Sequence, residues 1–315
     1  MTDVADRQVV HEIDVHADAE VIYGYIADVT NWPQIFPPSV HVERLESNGS
    51  RERIQIWATA NGEAKTWRSQ RLLDPVAKRV EFRQEASQPP VASMGGTWII
   101  EPLGTDRCRI RLLHDYRAVG DDPDKLAWID QAVDRNSRAE LAALKANSEL
   151  AAATPDVLLT FEDAVHVDGA AEDVYDFLNQ AQLWQRRLPH VARVSLTEDT
   201  AGLQVLEMDT RTKDGSVHTT RSVRVCFAPH RIVYKQVVLP ALMTLHTGRW
   251  LLEEIGGGLK VTSRHTVAIN EANVAKVLGA KATMADARSF VRNALGTNSL
   301  ATLEHAKRYA QARRT

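Results

Sequence analysis

Two α+β domains in tandem, each a curved antiparallel sheet covered by one long C-terminal helix, are predicted by three features of the sequence. These are an internal repeat, a run of strand-like alternation cut by turn signals, and an Ala- and Leu-rich helical stretch closing each copy. The segment AEVIYGYIADVTNWPQIFP (Ala19 to Pro37) aligns with AEDVYDFLNQAQLWQRRLP (Ala171 to Pro189), an offset of 152 residues that sets Tyr23 against Tyr175 and Trp32 against Trp184. The register continues from Arg68-Ser69-Gln70-Arg71 onto Arg221-Ser222-Val223-Arg224, from Trp98 onto Trp250, and from His114 onto His265. Asn136-Ser137 meets Asn298-Ser299 at an offset of 162, so the second copy has gained residues shortly before its last helix. Domains of 1–150 and 156–315 follow, joined near Ala151 to Pro155, where Ala-Ala-Ala-Thr-Pro breaks the helical pattern.

Within the first copy, Ala19 to Ala27 carries apolar residues at helical spacing and runs into a Trp32-Pro33 turn. Val40 to Val119 alternates as strands do, with turn signals at Ser47-Asn48-Gly49, Asn61-Gly62, Asp74-Pro75 and Leu103-Gly104, which makes an antiparallel meander. Pro123 opens a helix running to about Ala151, with its missing N–H placed in the first turn where no bond is lost. Gly256-Gly257-Gly258 precedes a strand, not a helix, and reads as a hairpin turn.

The 315 residues carry 38 Lys plus Arg against 41 Asp plus Glu, and 44% are hydrophobic, a balance that supports a folded core. No basic block offers a footprint for nucleic acid. Cys108 and Cys226 stand far apart, so neither a disulfide framework nor a thiolate zinc site is expected, and a reducing compartment fits. Met1 to Arg7 lacks the basic start and apolar run of a secretory signal, and no apolar stretch reaches spanning length; a cytoplasmic protein without membrane attachment is expected. Dinucleotide, P-loop, zincin and nucleophile-elbow motifs are absent, which implies neither cofactor nor metal.

The stretch from Lys65 to Leu73 is the most informative. On a strand, Trp67, Ser69, Arg71 and Leu73 share one face and Thr66, Arg68, Gln70 and Leu72 the other. If the first face is concave, an apolar pocket gains a cation and a hydroxyl beside a flat ring, a setting for an oxygen-rich planar molecule. The alternative is an outward, solvated Arg71, the common fate of arginine. On the long helix, Ile129, Val133, Asn136, Glu140 and Leu144 form one stripe in which Asn136 and Glu140 are the polar interruptions. Those two either face a wet interior or sit at the margin of a core stripe that drifts onto Leu141. Trp67 is the best ring for stacking on a ligand, with Trp32 and Trp98 as further candidates, although tryptophan more often packs a core. The matched His114 and His265 are either satisfied core residues or proton carriers.

These motifs resemble the helix-grip proteins, the group of StAR-related lipid-transfer proteins, birch-pollen-allergen-like proteins and polyketide aromatase/cyclases. The nearest resemblance is to the two-domain aromatase/cyclases of bacterial type II polyketide synthases. It is carried by Trp32-Pro33-Gln34-Ile35-Phe36-Pro37-Pro38, Trp67-Arg68-Ser69-Gln70-Arg71, Trp98 and Asn136-Ser137-Arg138-Ala139-Glu140. The resemblance implies a sheet wrapped around the long helix with an interior cavity, lined by Trp32, Trp67, Ser69, Arg71 and Trp98, with the arginine central to cyclisation. A Tyr that single-domain members carry after the Trp-Pro motif is Ser39 here, and their helix Asn falls at Glu140. The second copy keeps Ser222, Arg224 and Trp250 but has Thr220 in place of Trp67, and Val223, Val225 and Phe227 make the opposite face of its strand the more apolar one. That pattern favours the first domain as the principal site.

The implied activity is regiospecific aldol cyclisation and dehydrative aromatisation of the first ring, C7 to C12, of a ketoreduced poly-β-ketone carried by an acyl carrier protein. Other components of the synthase are the implied partners. Confinement would fix the reacting conformer, and the Arg71 guanidinium would stabilise the developing oxyanion. Arg71 stays protonated, so water, His114 or the substrate enolate takes the proton. The competing reading is a carrier of lipid or polyketide without chemistry. A chaperone-like or toxin-like helix-grip protein is a third, and it leaves the Trp-x-Ser-x-Arg face without a role.

Overall fold

Asp18 opens the first helix by accepting a hydrogen bond from the Glu20 amide at 2.6 Å, which satisfies one of the free N–H groups of the first turn. That helix is α1 (Ala19–Ala27), and it buries Ile22, Tyr23 and Ile26. It follows strand β1 (Arg7–Val15) and leads to the single turn α2 (Trp32–Ile35), where Pro33 stands near the start. The meander then runs through β2 (Ser39–Ser47), β3 (Arg51–Ala60), β4 (Glu63–Asp74), β5 (Arg79–Gln84), β6 (Val91–Pro102) and β7 (Cys108–Ala118) into α3 (Pro123–Ala153). The computed structural model describes residues 6–60, 62–153, 158–211 and 215–313. The expected turn at Asn61-Gly62 and the expected join at Ala151 to Pro155 lie partly outside these residues.

The chain divides into two units, Met1–Pro155 and Asp156–Thr315. In the first, the sheet order is β1-β7-β6-β5-β4-β3-β2 with every neighbouring pair antiparallel. This is a meander whose first strand has returned to pair with its last. One hairpin, between β5 and β6, carries no turn signal among those read from the sequence. Across the ladder, Trp67 faces Ile56, Ser69 faces Ile54 and Arg71 faces Glu52, and these partners are all buried. Ile129, Val133, Leu141 and Leu144 of α3 complete the core over that face.

The second unit repeats the plan with β8 (Leu158–Val167), α4 (Ala171–Asn179), α5 (Trp184–Arg187), β9 (Val191–Thr200), β10 (Leu203–Arg211), β11 (Val217–Phe227), β12 (Arg231–Val238), β13 (Met243–Ile255), β14 (Gly258–Ile269), α6 (Val274–Leu278) and α7 (Met284–Ala312). Its sheet order is β8-β14-β13-β12-β11-β10-β9. The residues gained before the last helix form α6 and its flanks. Thr283 then caps α7 in a reciprocal box with Asp286, which restarts the helix after the insertion. The glycines expected at the β13–β14 hairpin form it, with φ of 96° at Gly257.

Candidate functional site

Arg71 points inward. Its side chain lies against the end of α1, with 3% of the residue exposed, while Arg68 and Gln70 stand outside. The outward alternative is therefore wrong for this residue, because the alternation of β4 places the apolar partners Ile54 and Ile56 on the arginine's side. Nη1 donates to Glu52 Oε1 at 2.7 Å and to the Ala27 carbonyl at 3.2 Å, and Nη2 donates to the Ile26 carbonyl at 2.7 Å. The last carbonyls of a helix have no partners within it, so the guanidinium completes α1 as well as pairing Glu52. Its carbon stands 5.1 Å from the Trp32 ring centre, and Trp32 Nε1 donates to the same Ile26 carbonyl at 3.1 Å. Burial pushes the Arg71 pKa down to about 10 against the opposing pull of Glu52, which leaves it charged at neutral pH.

Around this pair the predicted residues fall into place unevenly. Trp32, Phe36 and Trp98 form an aromatic row, with ring centres 5.6 and 6.1 Å apart. Trp67 is half-buried against Ile54, Ile56 and Val42. Ser69 is buried, and its hydroxyl donates to the Arg83 carbonyl at 2.9 Å, so the sheet already holds that proton. Phe82, across the ladder from Arg71, leads to His114 at 5.6 Å between ring centres. Nδ1 of His114 lies 3.4 Å from Ser137 Oγ on α3, and burial pushes its pKa down to about 4, so the ring is neutral at pH 7.

The helix stripe needs a correction. Asn136 is exposed and Ser137 takes the inward place, because the core line of α3 passes through Ile129, Val133, Ser137, Leu141 and Leu144. Glu140 is different. It is half-buried on α3, and desolvation of its carboxyl raises its pKa to about 7. The two hollows described at the surface lie elsewhere, one beside Leu278 to Phe290 and one beside Asp168 to Ala170, and no predicted site residue lines either.

The second half repeats the geometry with different partners. Arg224 is 1% exposed, its Nη2 donates to the Leu178 carbonyl at the end of α4 at 2.7 Å, and its carbon sits 5.3 and 5.8 Å from the rings of Trp184 and Trp250. The apolar look of Val223 and Val225 misleads here. Both are buried on the outer face of β11 while Arg224 occupies the inner one. Ser222 is half-buried on that inner face. Where the first half has Glu52 opposite its arginine, the second has Gln204, whose Nε2 donates to Glu198 at 2.7 Å. Across the next ladder from Arg224 lies Tyr234, and Gly248 gives the ring its room, since a Cβ there would come within 2.4 Å of the phenol. The Tyr234 hydroxyl is 3.3 Å from His265 Nδ1, which is also 2.9 Å from His246 Nε2; Ser263 Oγ is 3.1 Å from the other nitrogen of His265. Burial pushes His265 down to about 4 and His246 well below its ordinary value.

This twofold arrangement has known counterparts. The family described as polyketide cyclase / dehydrase and lipid transport matches the chain twice, over residues 6–149 and 159–310. The chain belongs to that family. It is 53% identical over 296 residues to the granaticin polyketide synthase bifunctional cyclase/dehydratase of Streptomyces virginiae, covering 94% of this chain and 97% of the relative. To the actinorhodin polyketide synthase bifunctional cyclase/dehydratase of Streptomyces coelicolor it is 46% identical over 316 residues, covering 97% and 98%. Among solved structures, the di-domain ARO/CYC BexL from the BE-7585A biosynthetic pathway superposes with a TM-score of 0.91 at 61% identity, over 98% of this chain and 99% of that one. StfQ, the di-domain ARO/CYC of the steffimycin pathway, gives 0.87 at 34% identity, over 97% and 99%.

For this polyketide cyclase/dehydrase family member, five interior residues escape a reading of the strand motifs alone: Glu52, Gln204, Tyr234, His246 and Ser263. The repeat held the signal for the first two, since the offset of 152 carries Glu52 onto Gln204. The offset also sets Phe82 against Tyr234 and Met94 against His246, so the second interior is the more polar one. No helix among the described residues is long and apolar enough to cross a membrane.

Proposed function

We propose that the chain catalyses aldol cyclisation and dehydrative aromatisation of an acyl-carrier-protein-bound, ketoreduced poly-β-ketone, closing the first ring between C7 and C12. The observation that carries this reading is a buried guanidinium on the inner face of each sheet, walled by tryptophan and followed by a neutral histidine. Relatives named for cyclase and dehydratase activity support the reaction type. A neutral imidazole, His114 or His265, accepts a proton from a methylene flanked by two carbonyls. The resulting enolate carbon bonds to a ketone carbon, whose oxygen takes the negative charge beside Arg71 or Arg224 and is then protonated. Loss of that hydroxyl with a neighbouring hydrogen, as water, leaves the double bond that becomes aromatic. Within the first half Trp32, Trp67, Trp98 and Glu140 wall the folded chain, and within the second Ser222 and Trp250 do so, which restricts it to one register.

The test is product profiling of a reconstituted type II synthase with and without this chain. The cyclase reading expects correctly closed first-ring product only when the chain is present. An unchanged distribution of products would leave a carrier in its place.

Glu140 supplies a pH dependence with a definite sign. Its carboxyl binds a proton more tightly in the folded chain, pKa about 7 against the ordinary 4.5, so its contribution to stability is full below about pH 4.5 and lost as pH rises through 7. Glu140→Gln, which keeps the shape and removes the ionisation, is therefore expected to raise the melting temperature at pH 8 more than at pH 5. Equal shifts at both pH values would show that the carboxyl is solvated.

A further inference from the structure

The matched guanidinium meets different company in the two halves. Arg71 is closed: a buried carboxylate, two main-chain carbonyls and an indole ring surround it. Arg224 is open: Nη2 alone is bonded, and Nε and Nη1 are buried with no acceptor among the described residues. The difference lies at the facing position of the neighbouring strand, Glu52 in one half and Gln204 in the other. Gln204 carries no charge and turns its amide nitrogen to Glu198 and to the Asn179 side chain, at 2.7 and 3.1 Å. The acid on that side is thus taken up: Glu198 accepts from Gln204 and from the Gly202 amide.

Buried donors without acceptors are rare in folded proteins, and those of a guanidinium call for an anion. The surroundings state what kind. Trp184 and Trp250 supply flat walls within 6 Å of the guanidinium carbon. Tyr234, directly across the ladder, is half-buried, with its ring centre 5.7 Å from those of His246 and Trp250. Its hydroxyl ends a chain of proton-exchanging groups through His265 to His246 and Ser263. A flat, negatively charged molecule whose oxygens accept from a cation and a phenol fits this set of groups.

We propose that the C-terminal half is a receptor for a planar oxyanion, the enolate or phenolate form of a polyketide, seated on Arg224 Nε and Nη1, and that Gln204 in place of a carboxylate keeps this guanidinium open. The proposal rests on the cyclase reading for the identity of its natural ligand. It assigns the two halves different charge inside: a neutral ion pair in the first and a bare cation in the second. Residue 204 is then a specificity-determining residue, since a single carboxylate there would close the site as Glu52 closes its counterpart.

The test is calorimetric titration of the full chain with 2-acetylcyclohexane-1,3-dione, a flat triketone that exists as its enolate at neutral pH. The wild-type chain is expected to bind it, and Gln204→Glu to weaken binding by about tenfold or more, the loss of a charge-assisted contact. Gln204→Leu adds no charge and is expected to keep the affinity, which separates closure of the cation from damage to the fold. Failure of the wild type to bind, equal binding by Gln204→Glu, or equal loss in both variants would overturn the proposal. The probe needs no synthase, so the two readings fail separately. Binding as expected with an unchanged product profile removes the cyclase activity alone, and a chain-dependent profile without probe binding removes this receptor alone.

Discussion

Arg71→Ala is expected to lower the unfolding free energy of the N-terminal half by about 3 to 5 kcal/mol, as removal of one member of a buried ion pair does. The pair is enclosed, with both side chains 1% exposed, so water cannot replace the lost cation. The substitution strands Glu52 with only the half-exposed Arg44 at 2.6 Å, and it frees the Ile26 and Ala27 carbonyls at the end of α1. Chemical denaturation of the single variants and of the double variant Arg71→Ala/Glu52→Ala checks this. The double variant should recover part of the loss, because the uncompensated charge is gone. Strict additivity of the two single effects would mean the pair is not coupled.

Arg224→Met is expected to do the reverse: leave the melting temperature unchanged or raised, and reduce correctly cyclised product by about 100-fold. A buried cation with no carboxylate costs desolvation that one carbonyl and two ring faces offset only in part, so an apolar side chain of similar length is tolerated. The loss of product is the size seen when one donor to a developing oxyanion is removed. A stability gain that accompanies lost activity marks a residue retained for chemistry. The two measurements are thermal unfolding by circular dichroism and product analysis in the reconstituted synthase. A large fall in melting temperature with full product formation would show that Arg224 holds the fold and not the substrate.

These opposite expectations for matched residues show where the sequence was informative and where it was silent. The tandem arrangement, the meander and the closing helices were legible because they depend on local periodicity and on the repeat. The face of Arg71 was decidable in principle from β4 and its neighbour, since the polar Arg68 and Gln70 alternate with it. Arg224 was harder to place because both faces of β11 are buried, which erases the alternation that marks a half-exposed strand. Asn136 and Ser137 differ by one step of about 100° around the helix, within the error of assigning a stripe from spacing alone. Glu52 and Gln204 could not be found near the arginines in sequence, because their role arises across a ladder from residues 19 and 20 positions away.

The carbonyls that end α1 and α4 each accept from one guanidinium nitrogen, of Arg71 and of Arg224, at 2.7 Å. A cation anchored to a helix terminus cannot swing out to follow a flexible chain, so on the proposed reading the substrate must thread to it. The guanidinium then works as the zero mark of a ruler, from which carbon atoms are counted along the folded polyketide. Retargeting which carbons join would accordingly require moving the end of the helix, and exchanging residues along the wall would adjust only how well the rest of the chain is held.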